Sequence, residues 1–134
     1  MIAGVACHDI EVPTTLEKAG VDVDFYMKTL HRDDYWSATP KEERPESGLP
    51  GHDNMWCTQP EKTIEAMREV NKPWIAYKVL AAGAIHPRVG FRYAFQGGAD
   101  FLCVGMLDFQ VREDISIAKD VLSTKMNRER PWRA

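Results

Sequence analysis

Short apolar runs alternate with longer amphipathic segments along this chain of 134 residues. Each apolar run has the length of a β-strand, and each amphipathic segment carries apolar residues at helical spacing. The predicted strands span residues 2–7, 23–29, 74–80 and 101–106. The predicted helices begin near Pro13, Pro60, Pro87 and Val111. The pattern therefore predicts four consecutive strand-then-helix units.

Alternation of this kind indicates a parallel sheet covered by helices. Side chains alternate between the two faces of a strand, so the second strand separates Phe25 and Met27 from Tyr26 and Lys28. A polar face is costly in an open sheet with helices on both sides, whereas in a (β/α)₈ barrel it can point to the interior. We therefore expect Phe25 and Met27 to meet helices, and Lys28 to point inward together with Lys78 of the third strand.

The predicted fold is an α/β domain whose four βα units form half of a (β/α)₈ TIM barrel. Such barrels have eight units and about 250 residues. A C-terminal fragment of a longer barrel is the simplest explanation, and the alternatives are two copies that pair to close the ring or a small open parallel α/β sheet. Residues 1–124 form the domain, with a long loop insertion at 31–57. Residues 125–134 form a basic tail that we expect to fray or to dock on a partner.

Composition narrows the class of protein and its partners. The net charge of −3 gives no general attraction to nucleic acid or to an anionic membrane. No apolar run approaches the roughly 18–20 residues that span a bilayer. Cys7, Cys57 and Cys103 lie far apart and form no metal-binding spacing. Three widely spaced cysteines favour free thiols in a reducing compartment, so we expect a cytoplasmic protein.

Residues suited to chemistry concentrate in the predicted βα loops, where parallel α/β folds bind ligands. All four histidines lie there, together with five aspartates and the two lysines near strand ends, whereas the αβ loops hold almost no such residues. The set comprises His8, His31, His52, His86, Asp9, Asp33, Asp34, Asp53, Asp108, Lys28 and Lys78.

A divalent metal is one ligand that this set can hold. Imidazole and carboxylate ligands would support a lyase, an isomerase or a hydrolase, and the candidates are His8, Asp9, His31, His52 and Asp53. No spacing among them is a known ligand pattern, and the alternative is that they bond loop backbone and cap a turn. We favour this alternative and assign no metal ligand.

Lysine chemistry is a second possibility. Burial lowers the pKa of a lysine amine and frees it for Schiff-base or general-base work. The candidate catalytic residues are Lys28, Lys78, His31 and Asp9. The alternative, which we favour because buried charges are usually paired, is that each lysine pairs with a carboxylate. The carboxylates considered are Asp9, Asp24 and Asp108. Two lysines near one pocket also suit an anionic ligand.

Residues 80–85 and 97–106 resemble strands seven and eight of phosphate-binding TIM barrels. The matching segments are Leu-Ala-Ala-Gly-Ala-Ile and Gly-Gly-Ala-Asp-Phe-Leu-Cys-Val-Gly-Met. In those barrels a small-residue loop and a following glycine place backbone N–H groups around a phosphate. The resemblance implies that Gly83, Ala84, Gly105 and Met106 donate to a phosphate, and glycine does permit close backbone approach. His8 and Asp108 complete the predicted ligand-binding set.

Residues 75–83 and 104–106 are also similar to the C-terminal end of aldo-keto reductases. In that family these segments hold the phosphates of a nicotinamide cofactor, so the resemblance implies an NADP-binding half of an oxidoreductase. The catalytic tetrad of that family comes largely from its N-terminal half, and no part of this chain matches it. The sequence therefore fixes no cofactor.

The insertion at 31–57 is rich in aromatic and polar residues. It predicts a lid, and the alternative is an insertion that only covers the mouth of the barrel. The predicted lid residues are Tyr35, Trp36, His52, Asp53 and Trp56.

The sequence as a whole predicts an enzyme-like TIM-barrel protein that binds a small anionic or phosphorylated ligand at the carboxyl ends of its strands. The reaction class stays open. A non-catalytic half-barrel module or truncated product is the alternative from another class. The expected partners are a small anionic molecule and either a second copy or a missing N-terminal half.

Overall fold

The computed structural model describes residues 1–45, 49, 51 and 54–133. Four strands alternate with four helices, which confirms the predicted strand-then-helix units. The strands are β1 (Gly4–Cys7), β2 (Phe25–Thr29), β3 (Trp74–Tyr77) and β4 (Phe101–Cys103). The helices are α1 (Glu11–Lys18), α2 (Pro60–Arg68), α3 (Pro87–Gln96) and α4 (Val111–Ser123). Short 3₁₀ turns occur at Lys41–Glu43, Ala81–Gly83 and Asp108–Gln110.

The four strands form one open, fully parallel sheet in the order β1-β2-β3-β4. Each crossover moves one strand further in the same direction. Because crossovers between parallel strands are right-handed, successive helices of this topology fall on one face of the sheet. In the described part of the chain, no helix is long and apolar enough to cross a membrane.

The core lies between the helices and one face of the sheet. Tyr26, Trp74 and Ala76 are fully buried strand residues of this face. They pack in one cluster with Met67 of α2, Phe91, Ala94 and Phe95 of α3, and Ile117 and Val121 of α4. Burial of these aromatic and aliphatic side chains is the main force that holds helices and sheet together.

The predicted orientation of β2 is wrong. Tyr26 and Lys28 lie on the helix-covered face, while Phe25 and Met27 lie on the other face. The polar side-chain atoms on this face can be buried because they form hydrogen bonds within the protein. The Tyr26 hydroxyl donates to Glu17 at 2.8 Å, and the Trp74 indole N–H donates to the carbonyl oxygen of Lys28 at 3.0 Å. A period of two separates the faces of a strand without saying which face meets helices.

All four strands are shorter than predicted: β1 and β2 each begin two residues later than predicted, and β3 and β4 end early. β3 ends at Tyr77 because Lys78 adopts a φ of 61°, which lies outside the extended region. β4 ends at Cys103, three residues before the predicted end. The residues that follow β3 and β4 therefore belong to loops at the carboxyl rim of the sheet.

The predicted fraying of the C-terminal segment does not occur within the described residues. Arg130 is buried against the amino ends of β3 and β4, and its guanidinium donates to Asp100 and to four backbone carbonyl groups. Arg128 also pairs with Asp100 and stacks over the ring of Trp132, 3.8 Å from its centre. The basic segment therefore docks on its own chain.

Candidate functional site

Two clefts open at the carboxyl ends of the strands. The lysine cleft, of about 540 Å³, lies beside β1 and β2, and its wall includes His8, Asp9, Lys28 and Lys62. The glycine cleft, of about 680 Å³, lies beside β3 and β4, and its wall includes Lys78, Gly83, Gly105 and Asp114. Trp56 belongs to the wall of both clefts. The fold thus brings some of the residues singled out in the sequence to one rim, in two adjoining groups, whereas Ala84 and Asp108 line neither cleft.

Lys28 is the most unusual residue of the lysine cleft. It is 1% exposed, and its amine donates to the carbonyl oxygen of Thr29 at 2.9 Å and to the Thr29 hydroxyl at 3.0 Å. Among the described residues, no carboxylate forms an ion pair with it. Burial lowers the pKa of Lys28, although Cys57, Cys7 and Asp9 oppose that shift. The expected pairing with Asp9, Asp24 or Asp108 is absent from this part of the structure.

His8 stands beside Lys28 at the end of β1. Its Nδ1 lies 3.5 Å from the Tyr77 hydroxyl, and the two rings are 5.3 Å apart. Burial, followed by the charges of Lys28 and Lys78, lowers the pKa of His8. The imidazole is therefore neutral near pH 7 and can accept a proton or a hydrogen bond.

Asp9 stabilises the start of α1 and also lines the lysine cleft. Its Oδ1 accepts the N–H of Glu11 at 2.9 Å, where α1 begins. This bond satisfies one of the free donors at the start of that helix and fixes the carboxylate at the edge of the cleft.

His31 is fully engaged by the backbone. Its Nδ1 donates to the carbonyl oxygen of Arg32 at 2.7 Å, and its Nε2 accepts the N–H groups of Trp56 and Cys57 at 3.0 and 2.9 Å. Burial lowers the pKa of His31 to about 4, against the opposing bond to Arg32. The neutral ring thus ties the end of the insertion to β2, which matches the backbone-bonding alternative, and both nitrogens are occupied. We give His31 no chemical role.

The loop after β3 bounds the glycine cleft and has a strained backbone. Lys78, Ala81 and Ala82 all have positive φ, a region that costs a non-glycine residue about 1–2 kcal/mol. The Lys78 amine lies 4.2 Å above the centre of the Trp56 ring. The N–H groups of Gly83 and Ala84 donate to Leu80 and Ala81 within the loop, at 2.9 and 3.2 Å. These two proposed phosphate donors are therefore already in use.

The loop after β4 keeps its donors available. The N–H groups of Gly105 and Met106 have no acceptor among the described residues. Two carboxylates stand close by, however. Asp108 accepts the N–H of Phe109, and Asp114 is buried in the wall of the glycine cleft without a hydrogen-bond partner in the described chain. Negative charge at this position opposes a phosphate.

The insertion after β2 is an ordered loop in its described part. The Tyr35 hydroxyl donates to the carbonyl oxygen of Asn54 at 2.7 Å, and the Tyr35 ring contacts His31 edge-on. Arg44 closes the loop through a 2.5 Å ion pair with Asp33. Trp56 alone among the described lid residues lines a cleft, because Trp36 is 86% exposed and belongs to neither wall. His52 and Asp53 lie outside the described residues.

The described residues contain no group of three or more metal-ligating side chains. Of the candidate metal ligands, His8 and Asp9 are neighbours in the lysine cleft, His31 has both nitrogens occupied, and His52 and Asp53 are not described. The metal alternative therefore gains no support from the described part of the chain.

Three residues at the carboxyl rim were not predicted from the sequence. Thr29 holds the Lys28 amine, Tyr77 contacts His8, and Asp114 projects from a helix into the glycine cleft. Thr29 and Tyr77 end neighbouring strands, so attention to every polar residue at a strand end would have found them. No local pattern marks Asp114, which lies in an amphipathic helix.

Comparisons with known protein families, with curated proteins and with solved structures all returned no match.

Proposed function

We propose that the protein binds a small anionic ligand in the lysine cleft, with the Lys28 amine as its anchor. One observation carries the proposal: Lys28 borders a cleft, is almost completely buried, and forms no ion pair within the described chain. An ammonium group in such a place is costly unless an anion meets it. A bound anion would supply that partner and would raise the pKa of the amine toward its ordinary value.

The other residues that line the lysine cleft also suit a small anionic ligand. The amino end of α2 borders the cleft, and the N–H groups of Glu61 and Lys62 have no acceptor among the described residues. Such a helix end attracts negative charge. Asp9 and Glu11 also line the cleft, and Asp9 is close enough to act on the pKa of Lys28. A ligand that carries one anionic group and one hydroxyl or amino group would complement both the helix end and these carboxylates.

Enzymatic chemistry would follow from the same amine. Burial lowers the pKa of Lys28, which favours the neutral amine, the form that acts as a base or attacks a carbonyl carbon. His8 lines the same cleft, and its own lowered pKa favours the neutral imidazole, which can accept a proton. We propose these roles for Lys28 and His8 and assign Asp9 to ligand contact.

The glycine cleft supports a phosphorylated ligand less well. Gly105 and Met106 keep their donors, but Gly83 and Ala84 do not, and the cleft wall carries a buried carboxylate. An anion that bridges the clefts past Trp56 would also reach Lys78. For the fold we propose half of a (β/α)₈ barrel. The strand order and the single helix-covered face support this proposal.

Thermal unfolding in phosphate and in sulfate at constant ionic strength tests the anion site. An anion at ten times its Kd adds about 1.4 kcal/mol to the free energy of unfolding, which raises Tm by several degrees. We expect this shift in the wild type and in Lys72→Met, which removes a half-buried lysine that pairs with Asp22 and lies outside both clefts. We expect no shift in Lys28→Met. Equal Tm shifts in the wild type, Lys72→Met and Lys28→Met would contradict the proposal. The absence of any Tm shift at about 20 mM anion would contradict it as well, since a weaker site would have a Kd above the millimolar range.

A further inference from the structure

One face of the sheet is apolar, and none of the helices in the described residues lies on it. Phe25, Met27 and Ile75 are half-buried there, and Phe101 is 48% exposed. None of these side chains joins the main core. An apolar sheet face without a covering layer marks a surface that another apolar surface covers.

A second uncovered surface, which we call the edge groove, lies between β4 and α4. It has a volume of about 550 Å³, and its walls include Phe101 and Leu102 of β4 and Ile115, Ala118 and Leu122 of α4. Ile115 and Leu122 are 48% and 46% exposed. A further parallel strand beside β4 would lie about 4.8 Å away, beneath α4. The edge groove therefore has the position of a missing strand.

A strand that runs parallel to β4 would fit the edge groove, and β1 of a second copy is such a strand. β1 and β4 each have one neighbouring strand in the described structure, so each leaves an edge unpaired. Unpaired edges are a liability that proteins cover or close. Because β1 and β4 are the opposite edges of one parallel sheet, two copies related by a two-fold axis can satisfy all four edges at once.

We infer that this chain forms a homodimer in which β1 of each copy enters the edge groove of the other. The product is a closed ring of eight parallel strands, the number at which side chains fill the interior of a barrel. The apolar sheet faces of the two copies become that interior. The carboxyl rims meet at one end of the ring, so the clefts of both copies open on the same side.

Light scattering coupled to size-exclusion chromatography tests the inference, with the full chain at concentrations from about 0.1 to 100 μM, a range that brackets common dimer affinities. We expect a dimer at the upper end. Leu122→Glu places a charge in the edge groove, and Phe101→Glu places one on the apolar sheet face. Each should raise the dimer Kd by about ten- to a hundredfold, because a charge buried in an apolar interface is costly. Val89→Glu is the matched control, since Val89 is 40% exposed on α3 and does not line the edge groove.

Hydrogen exchange distinguishes ring closure from a dimer stacked face to face. Ring closure protects amides of both β1 and β4 in a concentration-dependent manner, whereas face-to-face stacking leaves the strand edges unprotected. Far-UV circular dichroism shows whether each variant is folded, and Ile115→Lys replaces any variant that is not. A wild-type monomer throughout the range, a larger open-ended oligomer, or a dimer that withstands the groove and face variants would overturn the inference. Assembly only with a different polypeptide would overturn it as well.

Discussion

Arg130 offers the sharpest test of how the C-terminal segment stabilises the fold. All five N–H donors of its guanidinium are used. One bond goes to Asp100 at 2.7 Å, and the others reach the carbonyl oxygens of Met67, Gly98, Val70 and Lys72 at 2.7–3.1 Å. The Arg130 side chain is completely buried. Replacing it with methionine keeps much of the volume but removes all five bonds. Gly98 and Met67 keep other donors, from Arg128 and from the Val70 N–H, whereas the carbonyl oxygens of Val70 and Lys72 lose theirs.

The expected cost of Arg130→Met is about 3–5 kcal/mol, the range found when one partner of a buried ion pair is removed. A domain of this size is stable by roughly 5–15 kcal/mol in total, so the loss is a large share. Although burial acts against it, the bonds from Arg130, from the Arg133 N–H and from the Trp74 N–H hold the pKa of Asp100 below its ordinary value. In the variant Asp100 loses the bond and the charge of Arg130 and keeps the bonds from Arg128, from the Arg133 N–H and from the Trp74 N–H.

Urea unfolding followed by tryptophan fluorescence measures this loss, with the free energy obtained by linear extrapolation. Arg68→Met is the matched control. It breaks an ion pair with Glu129 in which the side chains are 43% and 66% exposed, so we expect a loss below about 1 kcal/mol. Equal losses of free energy in the two variants, or a loss below about 1 kcal/mol in Arg130→Met, would contradict the expected cost.

Three further outcomes follow from the structure. The pKa of His31 is about 4 in the folded chain against an ordinary 6.5, so unfolding takes up a proton between these values. The free energy of unfolding should fall by about 3 kcal/mol from pH 6.5 to pH 4, and a slope unchanged in His31→Gln would contradict this. Gly90→Ala places a Cβ 2.7 Å from the carbonyl oxygen of Val79 and should cost about 1–3 kcal/mol, whereas Gly105→Ala, with nothing within 4 Å, should be near neutral. Lys28→Met should stabilise the ligand-free protein by about 1 kcal/mol or more in urea unfolding, and a loss of stability would show that the amine is well satisfied.

Local chemistry explains why so much of the fold was predictable. Apolar runs of strand length, prolines at helix starts and helical spacing depend on neighbours in sequence, and all four units form where these patterns place them. The rule that parallel strands present their carboxyl ends at one edge then brought His8, Lys28, Lys78 and Gly105 to a common rim. That step needed only the direction of each strand.

Tertiary contacts decided everything that depends on which face of a strand meets a helix. The sequence pattern separates Tyr26 and Lys28 from Phe25 and Met27. The more polar pair can be buried because the Tyr26 hydroxyl donates to Glu17 and the Lys28 amine donates to Thr29. The same holds for the C-terminal segment, where basic residues that suggested a loose tail find a buried carboxylate and a set of carbonyl groups. A charged side chain looks solvent-exposed in sequence until the fold supplies its partners, and those partners are distant along the chain.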